Sequence, residues 1–136
     1  MSVRTRLAMM ALAVISLGSL VIITGSPAEA APGAGHVSIP SGYKYNLNHP
    51  RRSLHDYCTK SPDSFFAANF RGPCARHDMC FEAAKKTRQK CNNEFWGHLN
   101  QECTHAFAWY NPLRGQCYNV RDIYWAAVTA NTFFNG

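Results

Sequence analysis

A histidine and an aspartate lie side by side in the middle of the chain, framed by two cysteines. The run reads Cys74-Ala75-Arg76-His77-Asp78-Met79-Cys80. An imidazole accepts a proton near neutral pH, and a carboxylate is a hard oxygen ligand for a cation. Consecutive residues of an α-helix point about 100° apart, so His77 and Asp78 on a helix would serve different partners. The pair therefore predicts proton transfer on one face of a helix and an ion or a hydrogen bond on the next.

Other roles fit the same residues. A single helical histidine is commonly a packed or surface residue. Cys74, His77 and Cys80 could instead be soft metal ligands, although zinc would need a fourth ligand and thiolates of an exported chain tend to oxidise. Asp78 could simply cap a helix or form a surface ion pair.

A second acidic residue precedes this run, in His55-Asp56-Tyr57-Cys58. A disulfide between Cys58 and Cys74 would hold Asp56 close to the helix that carries Asp78. Two carboxylates and backbone carbonyls would then converge. Such hard oxygen donors suit Ca²⁺, which takes about six to eight oxygen ligands, waters included.

Apolar residues at helical spacing predict the elements that would hold these side chains. A first helix is predicted from Gly72-Pro73 to about Thr87, because proline fits the first turn of a helix. A second helix is predicted from about Arg88 to Phe107, where apolar residues or cysteines recur every four residues. These positions are Cys91, Phe95, Leu99, Cys103 and Phe107.

A third helix is predicted from Val120 to about Thr132, with Asn119 as its N-cap. The Asn-Pro and Arg-Gly dipeptides within residues 111–115 predict a loop before it. No stretch alternates convincingly as a β-strand does. The predicted fold class is therefore all-α, a small helical domain.

The N-terminal residues have the pattern of a signal peptide, residues 1–30. Leu7 to Ile23 are almost all apolar, basic residues precede them, and Ala28-Glu29-Ala30 has the small-x-small form of a cleavage site. A membrane anchor is the alternative, but the apolar run is at the short limit for spanning. Residues 31–51, rich in Gly, Pro, Asn and Ser, predict an extended arm, and residues 52–136 form the domain.

The six cysteines of the 136-residue chain all follow the predicted cleavage site. An even number in a small exported domain predicts three disulfides, which would staple a modest core, but spacing alone leaves their pairing open. The net charge of +6 favours anionic surfaces. No nucleic-acid motif is present, and the basic residues within 85–90 are typical of a solvated helix end.

Three segments together resemble the secreted phospholipases A2, most closely their prokaryotic and fungal branch. The first is the helix Phe70-Arg71-Gly72-Pro73-Cys74-Ala75-Arg76-His77-Asp78-Met79-Cys80, which looks like the active-site helix of that family. The second, Asp56-Tyr57-Cys58, looks like its calcium loop. The third, Cys91-Asn92-Asn93-Glu94-Phe95-Trp96, stands where the family has its second active-site helix. The resemblance covers roughly residues 52–125.

The resemblance implies a secreted, calcium-dependent enzyme with two antiparallel active-site helices. His77 matches the general base that activates a water against the sn-2 ester of a glycerophospholipid. Asp56 and Asp78 match carboxylate ligands of Ca²⁺, and Tyr57 matches the residue that offers a backbone carbonyl. The implied partner is a phospholipid membrane or micelle surface, and the implied state is a monomer. The implied disulfides are Cys58–Cys74, Cys80–Cys91 and Cys103–Cys117.

One position departs from the family pattern: Asn92 stands where an aspartate usually orients the histidine. Asn92 can accept a hydrogen bond from the imidazole, but it carries no charge and can also donate, which would fix the wrong tautomer. Another carboxylate, Asp63 or Asp122, could reach His77 instead. Otherwise activity is low or lost, and the chain is a phospholipase-like protein that binds membranes or a partner through its basic and aromatic residues. The aromatic candidates are Phe65, Phe66, Trp96 and Trp109.

A third interpretation is a disulfide-rich structural or defence protein whose resemblance is due to chance. The disulfide pairing discriminates here, since the family frame requires Cys80 and Cys91 to be joined.

Overall fold

The structure is a computed structural model that describes residues 35–135. A 3-10 turn (Arg52–Leu54) precedes a two-stranded antiparallel hairpin and three α-helices. The strands are β1 (Ser64–Phe65) and β2 (Ala68–Asn69), and the helices are α1 (Arg71–Ala83), α2 (Arg88–Ala106) and α3 (Pro112–Asn135). The expected class, a small disulfide-stapled helical domain, is confirmed. The predicted signal peptide, residues 1–30, lies outside the described residues.

α1 and α2 are joined by a short link and run antiparallel. α1 ends before Thr87, where Ala84 takes the left-handed backbone conformation (φ 50°) that is common after a helix. Thr87 instead caps the start of α2, where its side chain accepts a hydrogen bond from the Lys90 N–H at 3.2 Å. The link brings the end of α1 against the start of α2, where Cys80 and Cys91 are bonded.

The prediction for the third helix was wrong at its start. α3 begins at Pro112, and Asn119 lies exposed within it instead of capping it. The cap is Asn111, whose Oδ1 accepts a hydrogen bond from the Leu113 N–H at 2.9 Å. Pro112 occupies the first turn, where a missing N–H costs nothing, so the Asn-Pro pair starts a helix instead of making a loop.

The three disulfides are the ones implied by the resemblance. Cys58–Cys74 ties the loop before the hairpin to α1, Cys80–Cys91 joins α1 to α2, and Cys103–Cys117 joins α2 to α3. The zinc interpretation of Cys74 and Cys80 was therefore wrong, because oxidised sulfurs are not thiolate ligands. The core packs around these bridges, and its fully buried side chains include Phe70 and Leu99.

Residues 35–51, the described part of the predicted arm, have no helix or strand but dock closely on the helices. The Val37 carbonyl packs against Gly72, where a Cβ would lie 1.8 Å from the carbonyl oxygen, so only glycine fits there.

The hairpin is too short to show strand alternation in the sequence, and Phe66 in its turn takes a positive φ of 49°. Within the described part of the chain, none of the helices combines the length and hydropathy needed to span a bilayer.

Candidate active site

His77 lies on the face of α1 that packs against α2. Its half-buried ring lies between Phe81 and Phe95, with centroid distances of 4.4 and 4.7 Å. Its Nε2 is 2.8 Å from Oδ1 of Asn92, a fully buried residue on α2. The described residues offer no hydrogen-bond partner to Nδ1. The ring is thus held in one orientation, with one nitrogen bound to the protein.

The pKa of His77 lies below its ordinary value of 6.5. Burial lowers it because the charged imidazolium is poorly solvated, and the hydrogen bond to Asn92 raises it by a smaller amount. The imidazole is therefore neutral at pH 7 and has a lone pair available to take a proton.

A cavity of about 370 Å³ opens beside His77, between α1 and α2. Pro40, Met79 and Phe95 supply part of its apolar wall. Cations of the wall are Arg76, Lys85 and Lys86, of which Lys86 pairs with Glu94 at 2.7 Å. The cavity thus has apolar and basic side chains in its wall, and it lies beside His77, the side chain that can take a proton.

Asp78 points away from this cavity wall and is buried at 4% exposure. The hydroxyl of Tyr43 donates a hydrogen bond to its Oδ2 at 2.9 Å. Burial raises the pKa of Asp78 to about 8; the Tyr43 hydrogen bond lowers it, and the like charges of Asp56 and Glu82 raise it further. Because its charged neighbours are carboxylates, the ionised form of Asp78 would be stabilised by a bound cation.

The loop with Asp56 and Tyr57 is tied to Asp78 through Tyr43. The Tyr57 N–H donates to the Tyr43 hydroxyl at 2.9 Å, and Tyr57 itself takes a left-handed backbone conformation (φ 58°). Such a conformation is strained for a non-glycine residue and is common at functional sites. Asp56 is half-buried and accepts a hydrogen bond from the Thr59 hydroxyl at 2.6 Å.

The donor set fits a calcium ion in its chemistry. Asp56 and Asp78 are carboxylates close enough to influence each other, and Tyr57 and Asp78 share the Tyr43 hydroxyl as a partner. Tyr57 also has a backbone carbonyl, which accepts a hydrogen bond from the Thr59 N–H at 3.1 Å. Among residues 35–135 no cluster of three His, Cys, Asp or Glu side chains suited to a metal exists. Calcium does not require one, because carbonyl oxygens and waters complete its shell.

The two carboxylates considered as replacements for the missing aspartate bind elsewhere. Asp63 accepts a hydrogen bond from the Cys58 N–H at 3.2 Å and pairs with Arg71. Asp122 accepts one from Trp96 Nε1 at 2.9 Å and pairs with Arg121. The partner of His77 is therefore Asn92.

Of the four aromatic candidates for a binding surface, Trp96 is buried and Phe65 half-buried, whereas Phe66 and Trp109 are exposed.

Sequence reasoning missed two residues of the site. Tyr43 lies in the predicted extended arm, yet it links Asp78 to the loop. Thr132 was expected only as the end of a helix, yet its hydroxyl accepts a hydrogen bond from Asn92 Nδ2 at 3.0 Å. Neither has a local sequence signal, because each acts through a contact distant in the chain.

The helix pair, its disulfides and the histidine–aspartate run are those of the phospholipase A2 class suggested by the resemblance. The chain belongs to the prokaryotic phospholipase A2 family, whose family model matches residues 43–132, more than half of the chain. Comparison with curated proteins and with solved structures finds no match. The match begins at Tyr43, so the docked residues 35–42 lie outside it.

Proposed function

We propose that this protein is a secreted, calcium-dependent phospholipase A2 that hydrolyses the sn-2 ester of glycerophospholipids. The carrying observation is the 2.8 Å bond between His77 Nε2 and Asn92, with buried Asp78 on the next face of the same helix. Family membership, the three disulfides and the N-terminal signal pattern support the proposal.

The proposed proton acceptor is Nδ1 of His77. With Nε2 bound to Asn92, Nδ1 takes a proton from a water as that water attacks the ester carbonyl, and the proton then passes to the leaving alcohol. The rings of Phe81 and Phe95 keep the imidazole in place and exclude bulk solvent from one side. The nucleophile is water, so no serine or cysteine is needed.

Asp56, Asp78 and the Tyr57 carbonyl would hold the calcium ion. When bound, calcium polarises the ester carbonyl and balances the charge that develops on the oxyanion and the phosphate. Tyr43 keeps the loop and the helix together by donating to Asp78 and accepting from Tyr57.

Fatty-acid release from phosphatidylcholine and phosphatidylglycerol vesicles, with calcium and with EGTA, tests the proposal. We expect release that requires calcium and that His77→Gln abolishes. His98→Gln is the matched control, because His98 lines the same cavity but has no bond to Asn92. No calcium-dependent release by the fully oxidised protein, or loss in both variants alike, would contradict the proposal.

The alternative is a phospholipase-like protein that binds membranes without turnover, and Asn92 favours it. A neutral amide orients the imidazole but does not stabilise the imidazolium, so we expect Asn92→Asp to raise kcat by about 10²-fold. An inert wild type that this substitution activates would identify a decayed enzyme. Vesicle binding that persists in EGTA without any hydrolysis would favour the binding role.

A further inference from the structure

The orientation of the Asn92 amide is decided by α3. Its Nδ2 lies 3.0 Å from the Thr132 hydroxyl and 3.5 Å from the Val128 carbonyl oxygen. The Thr132 hydroxyl in turn donates to the same Val128 carbonyl at 2.9 Å. The side chain is fully buried, so its hydrogen bonds must be made within the protein.

These contacts favour one direction of donation over the other. A backbone carbonyl can only accept, so the single proton of the Thr132 hydroxyl goes to Val128 and its lone pair faces Asn92. The amide must therefore turn its Nδ2 to α3 and its Oδ1 to α1. Because Oδ1 only accepts, His77 Nε2 must carry the proton of that bond. Nδ1 is then the unprotonated nitrogen.

The inverted amide would remove the base. It would place Oδ1 against the Val128 carbonyl, and the Thr132 hydroxyl could donate to that Oδ1 only by giving up its own hydrogen bond to the same carbonyl. At the other end Nδ2 would donate to His77 Nε2 and drive the imidazole proton onto Nδ1. An aspartate at position 92 has no such ambiguity, since both of its oxygens accept. The amide therefore needs an outside partner that selects its orientation.

We infer that Thr132 is a positioning residue, which holds the Asn92 amide in the orientation that keeps His77 in its Nε2–H tautomer. Its effect on catalysis rests on the proposed function, whereas its effect on the tautomer does not. Val128 alone, at 3.5 Å, is at the limit of hydrogen bonding and holds the amide weakly. The hydroxyl at position 132 thus supplies the orientation that a carboxylate at position 92 would not need, although it does not supply the charge of that carboxylate.

The test uses the full disulfide-bonded protein with ¹⁵N-labelled histidine. The ¹⁵N shifts of the His77 ring report which nitrogen is protonated, and they need no substrate. We expect the Nε2–H form in the wild type and in Thr132→Ser, and a mixture of both tautomers in Thr132→Val. With vesicle substrate, kcat of Thr132→Val should fall about fivefold to tenfold, the size expected for one buried hydrogen bond. Thr132→Ser should restore it.

The matched control is Thr129→Val, on the same helix. The Thr129 hydroxyl is buried and has no hydrogen-bond partner among the described residues, so its loss should change neither the tautomer nor kcat. In an Asn92→Asp background, Thr132→Val should also leave the tautomer unchanged, because the carboxylate has no donor to misplace. This double variant separates positioning from a general effect of the valine on the fold.

An unchanged Nε2–H tautomer in Thr132→Val would overturn the inference, as would an equal shift in Thr129→Val or in the Asn92→Asp background. A shifted tautomer in a protein that never hydrolyses lipid would leave the role of Thr132 standing and reject the proposed function. Calcium-dependent hydrolysis by the wild type, with no tautomer shift in Thr132→Val, would support the proposed function and reject the role of Thr132.

Discussion

Two carboxylates are buried among the described residues, and their surroundings differ. Glu102 on α2, 1% exposed, accepts a hydrogen bond from the Val37 N–H, and its Oε1 is 2.8 Å from His36 Nδ1. Asp78 on α1 has the Tyr43 hydroxyl as its donor and other carboxylates near it. Buried charge is tolerated where donors surround it. Glu102 is therefore a structural anchor, whereas Asp78 is short of positive charge, the property that a cation ligand needs.

The anchor holds the segment that completes one wall of the cavity. Gln101 donates to the Gly35 carbonyl at 2.6 Å, next to the Glu102 contacts. Further along, Arg76 on α1 donates to the Ser38 carbonyl at 3.0 Å. Pro40 then follows as a lining residue of the cavity at His77. One buried carboxylate thus organises the wall, and the other is expected to take part in the chemistry.

The largest expected effect comes from Asp78→Asn. Removing a calcium ligand should lower hydrolysis by about 10³-fold or more, because several kcal/mol of charge stabilisation are lost. In EGTA, however, the unfolding free energy should stay the same or rise, since the amide needs no compensating charge. Vesicle hydrolysis and urea unfolding measure the two quantities. A variant that is both inactive and markedly less stable in EGTA would make Asp78 a structural residue like Glu102.

The pH dependence of calcium binding sharpens the same contrast. Burial raises the pKa of Asp78 to about 8, so below pH 8 the carboxyl holds a proton that calcium must displace. Calcium affinity should therefore fall about tenfold for each pH unit below 8. In EGTA the folded form binds this proton more tightly than the unfolded chain, so stability should decrease as pH rises from about 4 to 8. Calorimetry in two buffers of different ionisation enthalpy measures the released proton; calcium binding without it at pH 7 would contradict this prediction.

Glu102→Ala tests the anchor. Loss of the carboxylate leaves the buried Val37 N–H without its acceptor, so we expect the unfolding free energy to fall by about 2 kcal/mol. Glu102→Gln keeps an acceptor oxygen and should cost less. Both variants leave His77 and Asp78 unchanged, so calcium-dependent hydrolysis should persist at temperatures where they are folded. Loss of calcium affinity in Glu102→Gln would show that the two carboxylates are not independent.

The sequence predicted most of the α1–α2 frame, because the signals there are local or periodic. Proline in the first turn, the four-residue spacing along α2 and the His-Asp run define both helices with small errors at their ends. The family resemblance supplied the disulfide pairing, which spacing alone leaves open. The start of α3 was missed because an Asn-Pro pair has two meanings, a turn or a capped helix start, and packing decides between them.

The supports of the site could not be predicted in the same way. Tyr43 and Thr132 lie 35 and 40 residues from the residues they contact, Asp78 and Asn92. Glu102 is 65 residues from Val37, and its burial depends on how residues 35–40 dock. Charged residues of helices are mostly exposed, so nothing in the sequence pattern indicates that Glu102 is buried.

The smallest expected effect concerns how the protein meets a membrane. Phe133 and Phe134 are 83% and 79% exposed and directly follow Thr132, so they lie at the active-site end of α3. Trp109 and Tyr110 are equally exposed but lie between α2 and α3, at the opposite end of α2 from Asn92. Exposed aromatic pairs are apolar enough to enter a lipid interface.

If membrane binding serves hydrolysis, the Phe pair should be the one that enters the lipid. We therefore expect alanine at positions 133 and 134 to weaken binding to phosphatidylglycerol vesicles about tenfold, and alanine at 109 and 110 to weaken it less. Vesicle co-sedimentation in calcium, with hydrolysis of a soluble short-chain phospholipid as the control, measures both. Hydrolysis of the soluble substrate should not change in either double variant. If the Trp109 pair proves the stronger determinant, the lipid-facing end of the protein is the one opposite His77, and the cavity beside His77 would not face the membrane.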